Sequence, residues 1–114
     1  MAVASVSVDS GATWTKLSQF ASITGSNAWP DVQGATVVAL GKAATGAAYS
    51  AAVYVVGVVD GVWGVYRSDD AGATWARFND DAHQFGGIAV MAADQNSYGR
   101  IYVGGSGRGV LYSY

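Results

Sequence analysis

A few residues in this sequence have types and spacing that could do chemistry. Asp80 and Asp81 are adjacent carboxylates in a polar run that continues through His83 and Gln84. A carboxylate pair can supply the acid and the base of a hydrolysis, but the inverting form needs the groups about 6.5–9.5 Å apart, flanking the bond. Neighbouring side chains of an extended segment point to opposite faces. Adjacency therefore does not make this pair catalytic. His83 has no second ligand of suitable type and spacing nearby, so no metal site is expected. Gly104-Gly105-Ser106-Gly107-Arg108-Gly109 looks like a phosphate loop. It lacks the Lys-Ser/Thr ending and no helix pattern follows, so it reads as a turn between strands.

Other carboxylates belong to a repeat. Ser7-Val8-Asp9-Ser10-Gly11-Ala12-Thr13-Trp14 recurs 61 residues later as Ser68-Asp69-Asp70-Ala71-Gly72-Ala73-Thr74-Trp75. The shared pattern, Ser-x-Asp-x-Gly-x-Thr-Trp, is the Asp-box. Its chemistry is that of a hairpin. The Asp carboxylate accepts backbone N–H groups inside the turn. The Gly takes a backbone conformation that a side chain would disfavour. The Thr begins the outgoing strand, and the Trp plugs the space beneath the turn. Ser7, Asp9, Gly11, Thr13, Trp14 and their counterparts Ser68, Asp70, Gly72, Thr74, Trp75 are thus read as structural, not catalytic.

The elements that carry these turns follow from composition. The 114 residues bound the chain to one domain at most. Sixteen Val stand against three Leu, and all eight acids are Asp. Val suits a pleated surface, whereas Leu and Glu are usual in helices. Asp beside Gly, Ser or Asn is turn chemistry. Strand-length runs fall at 35–40, 52–59, 62–68, 74–78, 88–93, 100–104 and 110–114. The expected fold is all-β, about two β-propeller blades of four-stranded antiparallel sheet with Asp-box hairpins. With strands A to D counted from inside a blade outward, the chain reads C-D, A-B-C-D, A-B-C. Residues 1–34 form a partial blade and loop, 35–79 a complete blade, and 80–114 a second partial blade.

The stretch from Val53 to Asp70, with Trp63-Gly64-Val65-Tyr66-Arg67-Ser68, resembles a blade of the family 74 glycoside hydrolases, the xyloglucanases. Asn79-Asp80-Asp81-Ala82-His83-Gln84-Phe85-Gly86 and the ending Gly99-Arg100-Ile101-Tyr102-Val103-Gly104 are similar to the C-terminal propeller region of that family. The likeness covers residues 35–114, and the first third only through its Asp-box. It implies a secreted parent family of inverting enzymes, with a substrate cleft between two propellers and one catalytic Asp from each. Neither catalytic Asp is implied for the matched stretch, so no catalytic residue and no cofactor are assigned.

Propeller geometry puts the Asp-box turns on one rim, with the D–A and B–C loops on the ligand face. Sugars present apolar C–H faces to aromatic rings and hydroxyls to planar polar groups. Trp29 and Trp63 suit the first role, and Asp60, Asp81, Gln84 and Arg108 the second. Trp63 fits equally well as a filler between blades. Asn79 falls on the same loops. Arg67 and Arg100 are expected to extend their charge from strands into water.

The partners that follow are β-glucan or xyloglucan and further copies of the chain. Repeat units bury their faces only against neighbours, and open strand edges invite pairing. A homo-oligomer that completes a propeller is expected, with a closed ring favoured. A structural self-assembling module, or a hydrolase active only as an oligomer, are the alternatives. A net charge of −2 without a basic block argues against nucleic acid. No apolar run reaches the length of a membrane span. The first residues lack a basic, then apolar, leader pattern, so no signal peptide is expected. Absence of Cys leaves the redox compartment unread.

Overall fold

The computed structural model describes residues 5–17, 35–59, 62–80, 82, 88–105 and 109–113. Nine strands form three antiparallel sheets, with no helix among the described residues. Strands β1 (Ser5–Val6) and β2 (Thr15–Lys16) make a hairpin. The central sheet runs β3 (Ala35–Lys42), β4 (Ala51–Val59), β5 (Val62–Ser68), β6 (Ala76–Arg77) in spatial order. The third sheet runs β7 (Ile88–Ala93), β8 (Ile101–Gly105), β9 (Val110–Tyr112).

Strand β4 explains the stacking. Its residues are apolar on both faces, as a strand buried between two layers requires. Val53 and Val55 face one way, joining Tyr66, Leu17 and Val6 in a cluster beneath the β1–β2 hairpin. Ala52, Tyr54 and Val56 face the other way, joining Val65 with Ile88, Ile101 and Val103 of the third sheet. Full burial of one such Val side chain contributes about 1.5–3 kcal/mol. The core is therefore divided between two sheet-to-sheet seams, with the central sheet supplying both.

The inner strands β3 and β7 approach closely. A Cβ at Gly41 would stand 2.7 Å from the Ala93 Cβ, so only glycine fits there without a shift. The Lys42 N–H donates to the Asp94 carbonyl at 2.9 Å, and its Nζ donates to the Asn96 carbonyl at 3.2 Å. Asp94 orders the loop after β7 by accepting the Asn96 and Ser97 N–H groups at 2.7 and 3.1 Å. β8 begins at Ile101, one residue later than the sequence pattern implies.

Candidate functional site

The two repeated turns share one hydrogen-bond pattern. In the first, the Ser7 hydroxyl donates to Asp9 Oδ1 at 2.7 Å and accepts the Gly11 N–H at 2.8 Å. Asp9 Oδ1 accepts the Thr13 N–H at 2.8 Å, and Oδ2 accepts the Thr13 hydroxyl. In the second, Ser68 and Asp70 repeat these bonds at 2.7, 2.8 and 2.9 Å with Gly72 and Thr74. Ser10 and Ala71 each have φ of 59°, and Gly11 and Gly72 follow at 88° and 91°. Both carboxyls are held at about 2, below the ordinary 3.8, first by the Thr hydroxyl and then by the Thr N–H. Carboxylates so committed to local donors are poor acids or bases at neutral pH.

The two tryptophans differ. Both indoles donate to a glycine carbonyl, Trp14 to Gly11 at 3.1 Å and Trp75 to Gly72 at 3.0 Å. Trp75 is half-buried against the cluster containing Leu17, whereas Trp14 is 65% exposed. The expected plug beneath the first turn is therefore not formed within the described residues. The reason is that the β1–β2 hairpin covers the second turn, and no described element covers the first.

The opposite end of the central sheet holds the other candidates. β5 starts there at Val62 and β6 ends there at Arg77. Trp63 is half-buried and packs on the seam between the central and third sheets, while its carbonyl accepts from Arg77 Nη2 at 3.3 Å. Asn79 is buried instead of facing a ligand. Its Oδ1 accepts the Val65 N–H at 2.9 Å, while the Val65 carbonyl accepts the Phe78 N–H at 2.7 Å. The side chain thus replaces a main-chain partner where the β5–β6 ladder runs out. Asp80 is exposed at the same end, with Oδ1 accepting the Ala82 N–H at 3.0 Å. Trp29, Asp60, Asp81, Gln84 and Arg108 lie outside the described residues. Of the six sugar-contact candidates, the structure therefore describes Trp63.

One cluster has no counterpart in the sequence reading. Arg67 lies over the rings of Tyr98 and Phe78, at 4.9 and 5.8 Å from their centroids, with Nε 3.5 Å from Asp69 Oδ2. Tyr98 donates to Asp69 Oδ2 at 2.9 Å. Arg100 Nη1 stands 3.6 Å from Asp94 Oδ2. These arginines pair with neighbouring carboxylates and do not simply extend into water. Burial pushes the Tyr54 phenol up from its ordinary value, and its oxygen accepts the Gly99 N–H at 3.1 Å. The β4–β5 register, which sets Tyr54 opposite Arg67, brings the cluster together.

Comparison with known proteins places these sheets. No protein-family model matches the chain. A xyloglucanase from a Paenibacillus species is 45% identical over 107 residues, which is 94% of this chain and 9% of that protein. A xyloglucanase of Acetivibrio thermocellus is 47% identical over 83 residues, 72% of this chain and 10% of that one. Among solved structures, a family 74 glycoside hydrolase of Niastella koreensis matches with a TM-score of 0.74 and 39% identity, over 95% of this chain and 14% of that one. The family 74 xyloglucanase of Xanthomonas campestris matches with a TM-score of 0.62 and 44% identity, over 69% and 11%. The chain thus spans about a tenth of the length of its curated relatives. The three sheets are propeller blades, and over most of its length this chain corresponds to a segment of a family 74 glycoside hydrolase propeller.

Proposed function

We propose that this chain binds a β-glucan of the xyloglucan type, at the end of the blades that carries Trp63 and Asp80, and that it performs no hydrolysis by itself. The carrying observation is the 45% identity to a xyloglucanase over 94% of the chain. The local chemistry supports it. Trp63 is half-buried, the second residue of β5, and a tryptophan ring at the end of a strand can stack on a pyranose face. Trp29, Asp60, Asp81, Gln84 and Arg108 complete the proposed site, with planar polar groups for the hydroxyls. No catalytic acid–base pair is assigned, because adjacency in sequence does not by itself make Asp80 and Asp81 an inverting pair.

Affinity electrophoresis through gels containing xyloglucan tests the reading. The chain is expected to be retarded relative to a gel without polysaccharide, and Trp29→Ala and Trp63→Ala should each reduce the retardation. Migration that xyloglucan leaves unchanged overturns the binding site. Reducing sugar released from xyloglucan by the purified chain overturns the second half of the proposal.

A further inference from the structure

The end of β5 that carries Trp63 is held from the far face of its own sheet. Trp63 and Val65 pack toward the third sheet. Alternation puts Gly64 and Tyr66 on the opposite face, where Tyr66 joins the Leu17 cluster. Arg77 of β6 stands directly opposite Tyr66 in the register, and directly opposed residues share a face. Tyr66 and Arg77 therefore run side by side on the face that the Trp63 ring does not occupy.

Both side chains reach back to the start of β5. The Tyr66 hydroxyl donates to the Val62 carbonyl at 2.6 Å, and Arg77 Nη2 donates to the Trp63 carbonyl at 3.3 Å. The β5–β6 ladder pairs Tyr66 with Arg77 and Arg67 with Ala76. Both bonds therefore fall beyond the ladder, where a strand end opens at little cost unless something ties it. Gly64 makes the tie possible. It is buried, and a Cβ there would stand 2.9 Å from Arg77 Nε and 2.8 Å from Asn79 Oδ1. The Arg77 side chain crosses the space that a side chain at position 64 would fill, and so reaches the Trp63 carbonyl. Trp63 and Gly64 act together: one puts a ring on the near face, and the other opens the far face to the group that holds it.

We propose that Tyr66 and Arg77 are positioning residues for Trp63: they fix the main chain behind the indole, so that the ring is already oriented when a pyranose face meets it. The inference rests on the glucan reading above. Their part is indirect, exerted from the face opposite the ring. Order fixed before binding is not lost on binding, and a side chain that must be immobilised on contact lowers affinity by about two- to tenfold. Asn79 differs from them, because its bond goes to the Val65 N–H and not to the carbonyls at the strand's start.

Two variants remove the donors alone. Tyr66→Phe keeps the ring, and Arg77→Met keeps most of the stem. The 114-residue chain is labelled with 5-fluorotryptophan, and the fluorine resonance that Trp63→Ala removes is that of Trp63. Affinity electrophoresis against xyloglucan gives the dissociation constant, and urea unfolding gives the folded fraction to which it refers. Each variant should bind about two- to tenfold more weakly, and should shift or broaden the Trp63 resonance before polysaccharide is added. Arg77→Lys, which keeps a shorter cation, should recover part of the Arg77→Met loss, and it carries the arginine arm should Arg77→Met not fold. In a Trp63→Ala background the same substitutions should lower the residual affinity no further. Equal losses in both backgrounds overturn the proposal, since they would come from general loosening of the sheet. Folded variants with wild-type affinity or an unmoved Trp63 resonance overturn it too, and the glucan site then stands as long as Trp63→Ala weakens binding. A wild-type chain that xyloglucan does not retard, or Trp63→Ala that binds like wild type, removes the glucan reading and this inference with it.

Discussion

The Tyr54 hydroxyl accepts the Gly99 N–H at 3.1 Å across the seam between the central and third sheets. Tyr54 is buried in the core, and Gly99 sits at the turn before β8 with its own N–H buried. The bond therefore couples two blades through a group that water does not reach. Tyr54→Phe keeps the ring and removes the acceptor. It should lower stability by about 1–3 kcal/mol, the cost of a buried donor left unpaired. Tyr98→Phe, which breaks the exposed bond to Asp69, should cost less, about 0.5–1 kcal/mol. Urea unfolding of both variants checks the order.

Asn79 separates a structural role from a sugar-binding one. Asn79→Ala leaves the buried Val65 N–H without its side-chain acceptor and should destabilise by about 1–3 kcal/mol. Asn79→Asp keeps an acceptor and should recover part of that loss. Xyloglucan retardation of whatever folded Asn79→Ala protein remains should match wild type. Weakened retardation with unchanged stability would reassign the residue to the ligand face.

Gly72 and Leu17 are predicted to be coupled. A Cβ at Gly72 would stand 2.6 Å from Leu17 Cδ2, at a φ of +91° that side chains disfavour. At Gly11, with nearly the same φ, the nearest atom is Trp14 Cζ2 at 3.7 Å. Gly11→Ala should cost about 1–2 kcal/mol from backbone strain alone, and Gly72→Ala more. In a double-mutant cycle, Leu17→Ala should relieve part of the Gly72→Ala penalty. Strict additivity would show that Leu17 does not press on Gly72.

The acid limb of the stability curve should report the two turns. Asp9 and Asp70 titrate at about 2 in the folded chain against an ordinary 3.8. A carboxyl with a depressed folded pKa binds fewer protons folded than unfolded, so its contribution is complete above 3.8 and is lost as pH falls through about 2. Thermal midpoints followed by tryptophan fluorescence should be level on this account down to about pH 4 and fall below it. Asp70→Asn should flatten that fall. An identical slope in the variant would remove Asp70 from the explanation.

Much of the architecture was legible in order and spacing alone. The 61-residue repeat located both turns, and the excess of Val over Leu, with no Glu, settled strands against helices. Both are local properties. A Ser, an Asp and a Gly at fixed offsets make the same hydrogen bonds wherever the hairpin stands, as the matched distances in residues 7–14 and 68–75 show. Burial was not legible in that way. Trp14 and Trp75 occupy identical patterns, yet one is exposed and the other half-buried, because Leu17 covers only the second. Asn79 looked like a loop residue because nothing in its neighbours announces an unpaired N–H at Val65, fourteen positions earlier. The sequence by itself determined which turns and strands form, since these depend on contacts within a few residues. The tertiary structure alone decided which of two equivalent side chains is core and which is surface, since that depends on whether another sheet lies against it.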